Sequence, residues 1–176
     1  MANKRMRSAC AAVVIVSAGL AACSSSSGGP PAMGDNSGIM ADDSTNSSVC
    51  PTWTSTLQPL QAYQPAMAQM GENGVFRFTI VNVDPAPPAL GNTGWKVQVT
   101  DANGQPVTGA TLAAPPGFMP QHNHPSTATP SVTSNNDGSF DVANEYFFMP
   151  GVWQIKFTAT SGATTDTTVF TFCLGM

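Results

Sequence analysis

Basic residues are scarce in this sequence. Only six of its 176 residues are Lys or Arg, and three of them, Lys4, Arg5 and Arg7, fall within the first seven positions. Beyond these the chain has Arg77, Lys96 and Lys156 against ten acids, a net charge of −7 for the part after the first segment. Three separated cations cannot neutralise a row of phosphates, so nucleic acid is excluded as a partner. Nor do they form a basic patch that would draw the protein onto anionic lipid. Histidine is scarcer still, with only His122 and His124, and both stand in one stretch. Nucleophilic catalysis needs a base beside an activated nucleophile, and this distribution does not supply one. Asp101 and Asp137 lie in turn sequences, where a carboxylate bonds its local backbone. Asp141 and Glu145, on one strand arm, read as surface charges rather than an acid/base pair. There is no glycine-rich phosphate loop and no cofactor fingerprint, and the chain is expected not to be an enzyme.

Long apolar runs are missing as well. The longest, from about Ala9 to Leu20, follows the three early cations and closes on small residues, which is the form of a secretory signal over residues 1–22. A dozen residues fall short of the roughly 20 that a membrane-spanning helix needs. The closing "LAAC", Leu20 to Cys23, is similar to the bacterial lipobox, with Cys23 as the acylated residue. Ser24 follows it, where an aspartate would resemble an inner-membrane retention signal, so the expected location is the outer membrane of a bacterial envelope. Residues 23–49 are rich in Ser, Gly, Asp and Asn and nearly free of large apolar side chains. Such a stretch cannot bury enough surface to offset the cost of ordering, and reads as a disordered tether spanning roughly 30 Å. The lipid anchor is then the expected contact with the membrane.

Of four cysteines, Cys10 lies in the signal and Cys23 at the anchor, leaving Cys50 and Cys173 at the two edges of the rest. In an exported protein these two are expected to form a disulfide. Closing a loop of about 120 residues is worth at most about 4 to 5 kcal/mol in the chain-entropy model.

From residue 74 to residue 176 short alternating runs are separated by turn residues, the signature of an all-β domain. "VFRFTIVNV" places Phe76, Phe78 and Ile80 on one face, "WKVQVT" places Trp95, Val97 and Val99 inward, and "WQIKFTA" does the same with Trp153, Ile155 and Phe157. "SVTSNNDGSFDV" reads as a hairpin about Asn136, Asp137 and Gly138. About seven strands suit an immunoglobulin-like antiparallel β-sandwich, with a small barrel as the alternative. Residues 50–73 read as an irregular segment packed on that domain, with room for a helical turn or two between Gln64 and Met70.

Antiparallel strands alternate in direction, so strand order predicts which loops share an end. Counting from the strand at Val75, the loops "PAPPALGNTG", "APPGFMPQHNHPS" and "MPG" fall at one end, and Cys173 arrives there too. Met119, His122, His124 and Met149 are thereby expected to converge. Neutral imidazole with thioether sulfur suits copper, Cu(I) above all. In an extended segment residues two apart face the same way, so His122 and His124 are placed to reach one ion. Against this stands a bland alternative, with the methionines as core fillers and the histidines as solvated loop residues. The functional expectation is a copper-binding carrier or chaperone. The competing one is a metal-free module that docks another envelope protein through loops such as "PAPPALGN".

The order "DPAPPALGNTGWKVQVTDANGQPVTGA", "FMPQHNHP", "GSFDVANEYFFMPGVWQIKF" resembles the YtkA-like (FixH-like) domain of bacterial envelope proteins. Trp95, Asp101, Gly104, Pro106, Gly109, Met119, Pro120, His122, His124, Met149, Gly151 and Trp153 match that family's pattern. Asn123 stands where the family's loop carries glycine. The resemblance implies an immunoglobulin-like fold, and some of the family's members are linked to copper handling or cytochrome oxidase assembly.

Overall fold

The computed structural model describes residues 50, 53 and 58–175. The signal, Cys23 and the tether lie outside the described residues. Ten strands follow in chain order: β1 (Met67–Met70), β2 (Phe76–Asp84), β3 (Gly91–Asp101), β4 (Thr111–Ala113), β5 (Phe118–Met119), β6 (His124–Pro125), β7 (Ser131–Ser134), β8 (Ser139–Phe147), β9 (Gly151–Ser161) and β10 (Thr164–Leu174). Two antiparallel sheets form, one ordered β1-β2-β3-β8-β7 and the other β10-β9-β5-β6, with β4 also on β9. The sheets remain separate and unclosed, so the architecture is a sandwich and not a barrel.

The alternating faces are those the sequence predicts. Phe76, Phe78, Ile80, Trp95, Val97, Val99, Trp153, Ile155 and Phe157 are all buried in one core between the sheets. Burial of these side chains is what fixes register, since a one-residue slip would turn each set to solvent. The turn carboxylates do their expected local work. Asp101 accepts from the amides of Asn103 and Gln105, and Asp137 accepts from the amide and hydroxyl of Ser139.

β4 and β5 run along β9 in nearly one line, Thr111 opposite Thr160 and Phe118 opposite Gln154. Pro115 and Pro116, which have no N–H to donate, separate them. β9 is therefore met first by a three-residue ladder from β4 and then by a second contact, from β5, nearer its start.

Residues 58–73 differ from expectation. No helical turn forms between Gln64 and Met70; Met67–Met70 is a strand paired with β2, reached after a turn in which Ala66 has φ 59°. Before and after it, the segment lies along β10, the outermost strand of its sheet. The Gln61 amide donates to Thr171 at 2.8 Å, the Thr171 amide donates to Gln61 Oε1, and the Glu72 amide donates to Thr167 at 2.8 Å. Gln69 Nε2 and Asn73 Nδ2 reach the carbonyls of Val169 and Thr165. Cys50, buried, bonds Cys173 as expected. An exposed 11-residue edge strand is a template for unwanted pairing, and this strap covers it.

The strap ends on Asp166. This carboxylate is fully buried, and its oxygens accept from the amides of Asn73, Val75, Phe76 and Thr167 at 2.8 to 2.9 Å. Gly71 makes the approach possible, because a Cβ there would overlap the carboxyl group. Burial alone would raise the Asp166 pKa, but the four amides together outweigh it and hold the group below the ordinary carboxylate value.

Candidate metal site

The stretch containing both histidines folds into a small hairpin. Phe118 pairs with Pro125 and Met119 with His124, and the His122 amide donates back to the Met119 carbonyl at 3.2 Å to close the turn. Pro120, second in that turn, has the fixed φ the position favours. Asn123 then takes φ 52°, in the left-handed region. Asn is the non-glycine residue that best tolerates this region, so the loop keeps the backbone that the glycine of similar loops would adopt.

The tip is seated on the start of β9. Gln121 Oε1 accepts the Val152 amide at 2.9 Å, and the Met119 methyl lies over Gly151. Gly151 has φ 141°, and a Cβ there would sit 2.6 Å from Met119 Cε and 2.9 Å from Gln121 Oε1. Only glycine meets both demands.

Above this seat the rings gather. His122 and His124 have centroids 5.9 Å apart. His124 stacks on Phe148 at 5.3 Å and meets the edge of Trp153 at 6.2 Å, while Trp153 Nε1 donates to the Met149 carbonyl at 2.8 Å. The convergence expected from strand order is therefore present for the histidine loop, Met149 and Trp153. Trp95 is deeper in the same end, stacked on Phe172 at 5.9 Å and edge-on to Phe147.

The four proposed ligands are not equivalent. His122 is exposed and His124 half-buried, Met149 is partly buried against the core, and Met119 is 0% exposed within it. Met119 thus serves the core directly beneath the loop. His124 Nδ1 lies 3.1 Å from the Pro125 carbonyl, which can only accept, so in the neutral ring this hydrogen bond calls for the Nδ1–H tautomer, the one that leaves the Nε2 lone pair for a ligand. A second hydrogen bond of this kind is the usual device for orienting a metal-binding imidazole. Two imidazoles bound to one ion through nitrogens about 2 Å from it have ring centres roughly 5 to 6 Å apart, the upper end corresponding to a wide N–metal–N angle. The observed pair falls in that range. Among the described residues, no three His, Cys, Asp or Glu side chains gather closely enough to hold a metal ion. That donor set is poor for zinc, which takes three or four such ligands.

Glu145 is the residue that sequence reasoning misplaced. It is not a surface charge: it is fully buried, paired across the sheet with Thr93, while Asp141 is exposed and bridged to Lys96 at 3.1 Å. The reason is a bulge. Asn144 has φ 64°, and the register against β3 shifts between Thr93 and Trp95, so the inward positions pass from Phe140 and Val142 to Glu145 and Phe147. Glu145 Oε1 accepts the Gly117 amide at 2.8 Å, and Oε2 has no hydrogen-bond partner among the described residues. Burial pushes the carboxyl up to about 7, against the opposing pull of the Gly117 and Tyr146 amides.

Residues 72–158 match the family model described as YtkA-like. No curated protein and no solved structure matches the chain.

Proposed function

This chain carries a YtkA-like domain, and from that premise we propose that it is an envelope lipoprotein whose domain carries one Cu(I) at the histidine end. His122 and His124 are the principal donors, with Met149 completing the set. The observation that carries this reading is the histidine pair itself, 5.9 Å between centroids, with His124 Nδ1 tied to a backbone carbonyl. Imidazole and thioether donors would suit Cu(I), which accepts low coordination by soft and borderline ligands. Phe148 and Trp153 wall the His124 side and limit solvent access. The role is a carrier's, since a site of this kind holds an ion without supplying a nucleophile or base to a substrate.

An anaerobic competition titration against a Cu(I) chelator tests the reading. The wild type is expected to take one equivalent, and His122→Ala/His124→Ala to lose at least roughly a hundredfold in affinity, a typical scale for losing ligands and their support. Met149→Leu is expected to cost less, and Met119→Leu to act on stability more than on affinity. Wild-type affinity no tighter than the double-histidine variant's would end the proposal. The anchor is tested separately, since labelling with a fatty-acid analogue should mark the wild type and not Cys23→Ala.

A further inference from the structure

The metal site leaves one buried group without a task. Glu145 is a carboxyl in the core, where an apolar side chain of the same size would avoid the cost of burying a polar group. Its Oε1 meets the Gly117 amide at 2.8 Å. Gly117 is the first residue of the histidine hairpin. Its own carbonyl accepts the Ser126 amide at 2.6 Å, and Ser126 Oγ donates to the Tyr146 carbonyl at 2.6 Å. Both feet of the hairpin are thus bonded to consecutive residues of β8. The fit is close as well, since a Cβ at Gly117 would lie 3.0 Å from both Glu145 Oε1 and Phe147 Cε1.

The hairpin needs such an anchor. Its two strands are two residues each, and Phe118 opposite Gln154 is its one ladder pair with β9. A ribbon that short does not hold itself together in water. Pro116, just before it, has no N–H to contribute. A buried amide without an acceptor is costly, so the Gly117 N–H fixes the backbone wherever its acceptor is fixed. Glu145 stands on a nine-residue strand that is paired with β3 at Glu145 itself, opposite Thr93, and with β7 over residues 140–143, a broad support.

We propose that Glu145 is the positioning residue of the histidine hairpin, holding Gly117 while Ser126 holds Tyr146, so that β8 sets the spacing at which His122 and His124 reach one cation. The role in metal binding rests on the copper reading above; the ordering of the hairpin does not. Glu145 makes its contact with the hairpin through the Gly117 backbone amide.

Three variants test it, Glu145→Ala, Glu145→Gln and Ser126→Ala, in metal-free and Cu(I)-loaded full-length protein. In the metal-free state, amide hydrogen exchange at Gly117 and Ser126 reports the feet of the hairpin. In the loaded state, chelator competition reports affinity. Glu145→Ala is expected to speed Gly117 exchange and weaken Cu(I) by roughly tenfold each, the scale of one buried hydrogen bond. Glu145→Gln is expected to restore both to within about threefold, because a carboxamide oxygen still accepts the Gly117 amide. Ser126→Ala should loosen the second foot and weaken Cu(I) to an intermediate degree, and it carries the test should Glu145→Ala fail to fold. Gly117 exchange unchanged in Glu145→Ala, or no rescue by Gln, would overturn the proposal. If the wild type binds no copper, the carrier reading falls and the exchange data still decide this one. If the wild type binds copper and Glu145→Ala binds it equally well, the positioning role falls and the metal site stands.

Discussion

The two ends of the sandwich each bury a carboxyl group, and they treat it in opposite ways. At the lower end Asp166 is met by four amides, two of its donors coming from the turn that follows the strap, and stays ionised with a lowered pKa. At the upper end Glu145 receives one short amide bond, keeps an unpartnered oxygen and is pushed up to about 7. The contrast extends to the surroundings. The lower end is closed by a strap that satisfies strand-edge carbonyls, whereas the upper end has Tyr146 and Phe148 each 38% exposed and a Trp95 indole N–H without a partner among the described residues. The contrast is one of degree, since Thr100 Oγ1, near the lower end, is also buried without a partner among the described residues.

The comparison is most directly broken at its lower half. Asp166→Ala would leave four amides without their acceptor, that of Phe76 buried and those of Asn73, Val75 and Thr167 part-buried, and should cost about 2 to 4 kcal/mol in denaturant unfolding. The pH dependence follows from the sign of the shift. Because the folded value lies below the unfolded one, the contribution is fully present above the unfolded value near 4 and is lost as pH falls through the folded value. Asp166→Ala should therefore remove part of the acid sensitivity of the wild type. A stability loss under about 1 kcal/mol would show that the amides find other partners.

At the upper half the sign reverses. The folded Glu145 binds its proton up to about pH 7, while an unfolded glutamate releases it near 4.5. Its contribution is greatest below pH 4.5, declines as pH rises through that window, and is constant above about 7. Glu145→Gln removes the ionisation, so it should raise stability at pH 8 relative to wild type by up to about 3 kcal/mol, less whatever the new amide hydrogens cost, and flatten the profile between pH 4.5 and 7. Parallel unfolding curves of the two proteins across that range check it. An unchanged slope would mean that the carboxyl is more hydrated than its burial indicates.

The seat of the hairpin gives a smaller effect. Gly151→Ala places a Cβ 2.6 Å from the Met119 methyl on a backbone at φ 141°, and should destabilise by about 1 to 3 kcal/mol. Met119→Ala in the same chain should recover part of the steric share, and a double-mutant cycle measures that recovery.

What sequence patterning conveys is visible in these same residues. Alternation located the cores of β2, β3 and β9, since Phe76, Phe78 and Ile80, then Trp95, Val97 and Val99, then Trp153, Ile155 and Phe157 each keep a period of two; in β2 the register shift between Ile80 and Asn82 then breaks it and turns Val83 inward. Elimination paired Cys50 with Cys173 because the other two cysteines were expected in the signal and at the anchor. Strand parity brought the histidine loop and Met149 to one end, and it survived the unexpected β5–β6 hairpin because a hairpin returns the chain to the side it left. Parity failed within β8, where the bulge at Asn144 turned Glu145 inward, and no residue type at that point announces a bulge as a glycine would. β1 was missed because Pro65 and the small run after it carry no alternating pattern, and its pairing is set by the strap. The Asp166 nest joins residues 90 to 93 positions apart and has no local signature.

The smallest effect is at Asn123, and it bears on the loop alone. With φ 52° the position asks for a residue at ease in the left-handed region, which glycine supplies freely and asparagine at little cost. Asn123→Gly should leave stability within about 0.5 kcal/mol, because the gain in backbone fit is offset by the greater freedom of the unfolded chain. Asn123→Ala has no such accommodation and should cost about 1 kcal/mol. Since the residue lies between the two histidines and its side chain is exposed, that cost falls on the ordering of His122 against His124. The Ala variant should bind Cu(I) roughly fivefold more weakly, and the Gly variant about as well as wild type. Equal affinity of all three would show that the metal draws the histidines together whatever the backbone prefers, and would make the upper end an adaptable site where the lower end is a fixed one.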